Sequence, residues 1–226
     1  MWWKGLFLFF FPSSCLTCGK KLNDHREILC LSCEYDLPRT GYGENPDNPV
    51  NQVFWGRVPV ENATSLLRFE KGSVYQGLLH DLKYRGNKEA GLYLGRLLGL
   101  EIKGTAFAQC RMIIPVPLHR KRFIERGYNQ SEVISKGISQ ITGIPLNGQI
   151  LKRTHFHSSQ TILGRLERYE NVSRDFALAS WNPEIHGLTV LLVDDVVTTG
   201  ATLEACAGLL IEKLKLKVYI ATVFCA

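Results

Sequence analysis

The chain has 226 residues, of which 45% are hydrophobic and 21% are charged, and its formal net charge is +6 at pH 7. This composition is ordinary for a soluble protein and excludes an integral membrane protein. The length is enough for one sizeable core with a small additional unit. The positive charge favours anionic ligands.

The first eleven residues are rich in Trp, Leu and Phe. They are too few to cross a bilayer, they run directly into Pro12, and they show no small-residue cleavage site. We expect a helix that is buried or docked on the protein surface, with peripheral membrane contact as the alternative. The expected location of the protein is the cytoplasm.

Four cysteines form two Cys-x-x-Cys pairs, Cys15 with Cys18 and Cys30 with Cys33, with eleven residues between the pairs. This spacing is typical of a tetrahedral zinc site, and four thiolates leave no open position, so the predicted site is structural. Two disulfide-linked hairpins are the alternative, but nothing in the sequence indicates secretion. The remaining cysteines lie in apolar surroundings and are predicted core residues: Cys110, Cys206 and Cys225.

The first elements of the main domain are predicted from composition and apolar spacing. Gly, Pro and Asn are dense over residues 39–60, which we expect to be a linker. A strand over 63–69, a helix over about 73–86 and a helix over about 88–100 follow.

Three residues near the end of the first of these helices have two interpretations. In the first interpretation, Lys83 and Arg85 only complement the helix terminus, because cations are favourable at the carboxyl end of a helix. Alternatively, Lys83, Tyr84 and Arg85 reach towards a bound anion or its reaction partner. The sequence favours neither interpretation.

A strand predicted over 112–116 leads into a basic connection. Four cationic side chains lie on this connection: Arg120, Lys121, Arg122 and Arg126. Their positive field is expected to neutralise a phosphate-type ligand, and a solvated loop or a nucleic-acid patch is the alternative. Because Asn129 is a capping residue type and Gly143 ends an apolar stripe, a helix is expected between them.

Residues 151–176 form a polar and basic stretch with few core signals. Such a stretch between strands predicts a mobile lid that closes over substrate and excludes water. Its histidines lack the spacing of metal ligands. Arg165 and Arg168 are three residues apart and share a face if the segment is helical.

The most informative segment is residues 190–202, in which four apolar residues lead into Asp194 and Asp195 and then into a turn rich in Thr and Gly. An apolar stripe with helical spacing follows, and ligands of open α/β sheets gather at such turns. The turn offers amide and hydroxyl donors for a phosphate, while the carboxylates can accept from ribose hydroxyls, directly or beside magnesium. A capped turn with a solvated aspartate pair is the alternative. A last strand is predicted over 217–224.

This segment resembles the phosphoribosyl pyrophosphate (PRPP) fingerprint of class I phosphoribosyltransferases. The resemblance implies that Asp194 and Asp195 contact the ribose hydroxyls. It further implies a cradle for the 5′-phosphate, made of Thr198, Thr199, Gly200, Ala201 and Thr202. The fingerprint does not identify the acceptor.

Other motifs narrow the resemblance to one family. The chain is similar to ComF family proteins in its cysteine pairs, its fingerprint and the following segments: Lys83-Tyr84-Arg85-Gly86, Pro115-Val116-Pro117-Leu118, Arg126-Gly127-Tyr128-Asn129-Gln130 and the lid from Gln160-Thr161 to Asn171. The resemblance implies an α/β protein with the type I phosphoribosyltransferase fold, a central mostly parallel sheet flanked by helices, and a small zinc ribbon. It divides the chain into an apolar helix and ribbon over 1–38, the linker over 39–60 and the phosphoribosyltransferase-like domain over 61–226, with hood elements over 61–110.

The resemblance also implies a link to DNA uptake in natural transformation. We predict magnesium-dependent transfer of phosphoribosyl from PRPP to an unknown acceptor, with pyrophosphate release. The candidate contacts to pyrophosphate are Arg120, Lys121, Arg122, Arg126, Lys83, Arg85, Arg165 and Arg168. The alternative is a non-catalytic competence factor that binds PRPP or single-stranded DNA, and other DNA-uptake proteins are candidate partners. Glutamine hydrolysis is not expected, because the chain begins Met1-Trp2-Trp3 and lacks an N-terminal cysteine nucleophile.

Overall fold

A parallel sheet forms the centre of the molecule. The computed structural model describes residues 14–22, 24, 27–84, 86–154, 175–181 and 183–226. The strands of the sheet are β1 (Asn62–Arg68), β2 (Met112–Pro115), β5 (Thr189–Val197) and β6 (Lys217–Cys225). They pair in the order β1-β6-β5-β2, and every pair is parallel. An antiparallel pair, β3 (Leu151–Arg153) with β4 (Phe176–Leu178), lies apart from it. The predicted parallel sheet is confirmed.

Helices connect the strands and cover both faces of the sheet. The α-helices of the described residues are α1 (Leu31–Tyr35), α2 (Pro49–Gln52), α3 (Gln76–Tyr84), α4 (Lys88–Ile102), α5 (Arg120–Arg126), α6 (Gln130–Thr142) and α7 (Ala201–Leu214). Short 3₁₀ turns occur at Ala106–Gln109 and Pro183–Ile185. Among these helices, none combines the length and the apolar character needed to cross a membrane.

The alternation of side chains along β5 explains its continuous apolar sequence. Leu191 and Val193 belong to the core cluster that also contains buried residues of α4 and α6. Val190 and Leu192 belong to the opposite cluster, with buried residues of α7 and the segment around α2. Because both faces of the strand are covered, the four positions 190–193 are all apolar and buried.

The position of α6 is set by its close packing on α4. A Cβ atom added to Gly95 would lie only 2.2 Å from the carbonyl oxygen of Ile134, so the two helices approach to backbone contact. The side chain of Asn129 accepts a hydrogen bond from the amide of Ser131 at 3.2 Å and caps α6, which ends before Gly143. The predicted helix between Asn129 and Gly143 is confirmed, and its first turn points to the carboxyl edge of the sheet.

Residues 39–60, expected to be a linker, instead pack onto the sheet. Asn48 is buried, its side chain donates to the carbonyl of Ala63 at 2.9 Å, and it caps α2 by accepting from the amide of Val50 at 2.9 Å. Val50 and Phe54 lie four residues apart and are both buried in the core. The Gly, Pro and Asn residues therefore mark turns within a packed segment, because an apolar stripe runs between them.

Two further segments are the basic connection and the predicted lid. The first contains a helix, and the second lies largely outside the described residues. The basic connection contains the helix α5, in which the side chain of His119 accepts from the amide of Lys121 at 3.1 Å. The predicted lid is bounded by β3 and β4. Its residues 155–174, which include Arg165 and Arg168, fall outside the described residues, as do Arg85 and residues 1–13.

Candidate functional site

A polar cavity of about 210 Å³ lies at the carboxyl ends of β5 and β2. Asp194 and Asp195 line it together with hydroxyl groups and cationic side chains. The cations are contributed by separate elements: Lys83, Arg122, Arg126 and Arg153. Opposite charges therefore face a common space that is open to a ligand, and we refer to it as the polar cavity.

The two aspartates are each held by a neighbouring donor. The hydroxyl of Ser131 donates to Asp194 Oδ1 at 2.8 Å, and the amide of Asp195 donates to the same oxygen at 2.9 Å. Lys83 Nζ lies 3.2 Å from Asp195 Oδ2. The pair is thus compensated in the absence of ligand, since α6 supplies a hydrogen bond and α3 supplies a charge.

Burial and, to a lesser extent, the negative charge of Asp195 together raise the pKa of Asp194 to about 7. The hydrogen bond from Ser131 acts in the opposite direction and lowers the pKa. Two adjacent carboxylates disfavour each other's ionised form unless positive charge or hydrogen-bond donors are close. A cationic or hydroxyl-bearing ligand in the polar cavity would therefore favour the ionised pair.

The turn after β5 surrounds a smaller hollow of about 70 Å³, formed by residues that include 198–202. A cavity needs only about 10–15 Å³ on this measure to hold one water, so the hollow has room for a phosphate-sized group. Helix α7 begins at Ala201, with Gly200 as its N-cap at φ +75°. The first amide groups of a helix and its dipole favour an anion at this place.

Residues of the segment before β1 pack against this turn. A Cβ atom at Gly200 would lie 2.5 Å from a methyl group of Val53, so only glycine fits. The Arg57 guanidinium donates to the carbonyls of Thr199 at 2.8 Å and Val53 at 3.0 Å, and it forms an ion pair with the buried carboxylate of Glu204. Sequence reasoning missed Arg57 and Glu204, because one lies in the predicted linker and the other within a helical stripe.

The structure brings together some of the predicted cations and not others. Arg122 and Arg126 line the polar cavity, and Arg126 also donates to the side chain of Gln130 at 3.0 Å. Arg120 and Lys121 are exposed on the same helix and are not among the lining residues. Lys83 faces the acidic pair and lines the polar cavity, and its contact with a bound anion stays a prediction.

Several lining residues were not among the predicted site residues, and two of them are polar side chains with fixed partners. Arg153 forms an ion pair with the buried Asp175 at 3.2 Å and so stands in a fixed position at the end of β3. In the sequence, the indication for Arg153 was the basic character of residues 151–176. Ser131 carried only a weak signal, its place two residues after the helix cap Asn129.

The four paired cysteines converge, as predicted. Their sulfur atoms all lie within 4.8 Å of one another, and the Sγ atoms of Cys18 and Cys30 are 3.7 Å apart. A tetrahedron with Zn–S bonds of about 2.3 Å has S···S edges of about 3.8 Å, so the spacing fits a tetrahedral metal. A disulfide requires about 2.05 Å, and the thiols are free, so the disulfide alternative is wrong. Cys110 and Cys206 are buried core residues, as predicted.

The chain is similar to several known proteins. The family described as phosphoribosyl transferase domain matches residues 127–226. Competence protein F of Haemophilus influenzae is 30% identical over 217 residues, which cover 89% of this chain and 92% of that protein. DNA utilization protein YhgH of Salmonella typhimurium is 32% identical over 88% of this chain and 84% of its own length. Competence protein ComFC of Bacillus subtilis is 27% identical over 94% of this chain and 84% of its own length.

The parallel sheet and the domain match confirm a type I phosphoribosyltransferase fold. With 30% identity to competence protein F over nearly the whole length of both chains, the protein belongs to the ComF family.

Proposed function

We propose that the protein binds PRPP with its magnesium ion and transfers the phosphoribosyl group to an acceptor, with release of pyrophosphate. The main support for this proposal is that the polar cavity and the hollow of the turn share lining residues. Asp194, Thr198 and Thr202 line both the polar cavity and the hollow of the turn. A pentose phosphate can therefore occupy the hollow with its phosphate while its hydroxyl groups reach the acidic pair.

The proposed mechanism follows from the charges. The bond from ribose C1 to pyrophosphate breaks, the leaving group takes the electron pair, and positive charge develops at C1. Arg122, Arg126 and Arg153 face the space in which the leaving group gains charge, and such fixed charges are most effective in a site that excludes water. Asp194 and Asp195 hold the ribose hydroxyls. Lys83 exchanges its contact with Asp195 for one with pyrophosphate.

We further propose that zinc occupies the cysteine cluster and has a structural role. The four sulfurs fit a closed tetrahedral site, which has no position for a substrate. Tyr75 directly precedes α3, and its hydroxyl donates a hydrogen bond to the carbonyl of Cys33 at 3.4 Å. Zinc would therefore support the helix that carries Lys83.

Calorimetric titration with PRPP and magnesium tests the proposal. The double substitution Asp194→Asn with Asp195→Asn keeps the size of both side chains but removes their charge, so PRPP binding should fall below detection. The substitution Asp36→Asn, on an exposed side chain outside the cavity, is the matched control and should bind like the wild type. Unchanged affinity in a folded double variant would remove the assignment.

A second candidate function is binding of single-stranded DNA without turnover. It is favoured by α5, which exposes Phe123 by 47% and Ile124 by 72% beside the exposed Arg120 and Lys121. Cations beside an aromatic ring are the elements from which single-strand sites are built. The relatives named for competence and DNA utilization support a DNA-related role of either kind, including other DNA-uptake proteins as partners.

The two candidates respond differently to one variant. Replacing Arg120, Lys121 and Phe123 by Ala should weaken salt-dependent binding of a labelled oligonucleotide and reduce its salt slope, if DNA binds there. The same variant should retain PRPP binding, since these side chains are not among those lining the polar cavity. The cytoplasmic location stays a prediction.

A further inference from the structure

Tyr128 is a buried residue outside the proposed mechanism. It follows Gly127, which ends α5 in the left-handed conformation at φ +76°, and it precedes Asn129, which caps α6. Its side chain is only 5% exposed, and it is not among the residues that line the polar cavity. A ligand in that cavity would therefore not touch Tyr128, and an effect of Tyr128 on the site has to act through a neighbouring residue.

The hydroxyl of Tyr128 reaches the end of α3. It donates a hydrogen bond to the carbonyl of Leu82, which lies 46 positions earlier in the chain and is fully buried. Carbonyl groups in the last turn of a helix lack a partner within the helix, and a buried carbonyl is costly to leave unpaired. A side chain from a distant part of the sequence thus fixes the last turn of α3.

Lys83 directly follows this carbonyl. The carbonyl of Leu82 and the amide of Lys83 belong to one planar peptide unit, so a hydrogen bond to the carbonyl also fixes the backbone from which the Lys83 side chain extends. From there Lys83 Nζ reaches Asp195 Oδ2 at 3.2 Å. A lysine side chain loses much rotamer freedom when it is held in one geometry. Its ion pair therefore depends on a backbone that does not move.

The backbone around Tyr128 is held by its neighbours. The side chain of Gln130 donates to the carbonyl of Tyr128 at 3.4 Å and accepts from Arg126 at 3.0 Å. The side chain of Asn129 donates to the carbonyl of Val116, directly after β2, at 3.0 Å. Tyr128 is thus tied to α5, to α6 and to the end of a central strand, and its hydroxyl extends these ties to α3.

The ring of Tyr128 has a contact of its own. Lys88 Nζ lies 5.6 Å from the ring centroid, which is within the range of a cation–π contact. Burial raises the pKa of Tyr128 above its ordinary value, so the hydroxyl is protonated and remains a donor at neutral pH. A phenylalanine at this position would keep the ring contact and lose only the donor.

Resting on the proposed function, we propose that Tyr128 is a positioning residue: its hydroxyl holds the end of α3 so that Lys83 faces the acidic pair and, once PRPP is bound, the pyrophosphate group. Loss of the hydroxyl loosens Lys83. It leaves the hollow of the turn unchanged, because Lys83 is not among the residues that form the hollow.

The position of Lys83 can be measured without any ligand. Its amine is labelled with an N-hydroxysuccinimide ester, and mass spectrometry gives the labelling rate relative to that of the exposed Lys103. An amine held beside a carboxylate stays protonated and reacts slowly. In Tyr128→Phe the relative rate should rise about fivefold, since a hydrogen bond between neutral groups contributes about that factor to an equilibrium constant.

The matched control is Tyr219→Phe, which should leave the labelling of Lys83 unchanged. Tyr219 is also buried, its hydroxyl accepts from Gln109, and it lies near the amino end of β6, at the edge of the sheet away from the polar cavity. A second variant carries 4-aminophenylalanine at position 128, which keeps the shape of the side chain and a donor. It should label Lys83 as slowly as the wild type.

Calorimetry with magnesium links the position of Lys83 to the ligand. Tyr128→Phe should weaken PRPP binding about fivefold and leave the affinity for ribose 5-phosphate within about twofold, because ribose 5-phosphate has no pyrophosphate group for Lys83 to meet. In a Lys83→Met background, Tyr128→Phe should have no further effect on PRPP affinity, because the hydroxyl acts through Lys83.

Three results would overturn this inference. They are an unchanged relative labelling rate of Lys83 in a Tyr128→Phe protein that a melting curve shows to be folded, fast labelling of Lys83 in the 4-aminophenylalanine variant, and additive effects of the Tyr128 and Lys83 substitutions on PRPP affinity. Failure of the wild-type protein to bind PRPP would instead contradict the proposed function, and the labelling rates would still decide whether Tyr128 positions Lys83.

Discussion

The cysteine cluster and the aspartate pair both gather side chains that repel one another when ionised, but they are built differently. Four sulfurs lie within 4.8 Å of one another, and a tetrahedral metal bound by all four would have no open position. The two carboxylates instead border a cavity of about 210 Å³ and are compensated by Ser131 and Lys83. The comparison teaches that a closed set suits a permanent ion, whereas an open pair suits a ligand that comes and goes.

The two sites meet through one helix. Tyr75, immediately before α3, contacts the carbonyl of Cys33, and Lys83 near its end contacts Asp195. Between them, Leu78 and Leu82 are buried in the same core cluster as Cys15. The cysteine cluster therefore helps to position Lys83 beside the aspartate pair, because α3 packs on the segment that carries the cysteines.

The largest effect is expected from loss of the closed site. Cys30→Ser should reduce bound zinc from about one per chain to none, measured by elemental analysis. Zinc contributes ~10–16 kcal/mol of apparent binding energy in small zinc-finger peptides. With about 2–4 °C of melting temperature per kcal/mol for a chain of this size, we expect a fall of at least about 10 °C.

The matched control for this prediction is Cys225→Ser, because Cys225 is partly buried and lies outside the cluster. It should keep its zinc. If the Cys30→Ser protein melted at the wild-type temperature, the cluster would have no structural role. The contrast drawn between the cysteine cluster and the aspartate pair would then be contradicted.

An intermediate effect is expected for Arg57, which contacts the turn after β5. Arg57→Met removes the donor to the Thr199 carbonyl and leaves the buried carboxylate of Glu204 without its ion pair. Charge-assisted hydrogen bonds contribute about 1.5–3 kcal/mol, so PRPP affinity should fall about tenfold in calorimetry. Adding Glu204→Gln should restore part of the loss, because it removes the unpaired charge. The exposed Arg111→Met is the control, and equal affinity in the Arg57 variant would contradict the role.

The smallest effect is a pH dependence of the ligand-free protein. Burial and the charge of Asp195 raise the pKa of Asp194 to about 7, above its unfolded value of about 3.8. The folded protein therefore binds a proton more tightly than the unfolded chain, and this stabilisation is lost as the pH rises through 7. The free energy of unfolding in urea should fall as the pH rises from about 4 to about 7 and level off above that. Asp194→Asn should remove this slope, and an equal slope in both proteins would show that another group is responsible.

Much of the fold could be predicted from local patterns. The apolar run of β5, the capped helix from Asn129 to Gly143 and the cysteine spacing all involve residues close together in the chain. The prediction for residues 39–60 was wrong because Gly, Pro and Asn density masks the apolar pair Val50 and Phe54. Composition alone does not distinguish an exposed connection from a packed segment rich in turns.

Local sequence patterns are enough to predict the chemical groups of both sites: two adjacent carboxylates, a turn rich in Thr and Gly, and paired thiols. The partners of these groups follow from the packing of distant segments. Ser131 reaches Asp194 across 63 positions, and Arg57 reaches Glu204 across 147. Such contacts leave no periodic trace in the sequence, because they depend on how helices and strands pack and not on neighbouring residues. For the same reason, Arg122 and Arg126 face the polar cavity, whereas Arg120 and Lys121 on the same helix are exposed.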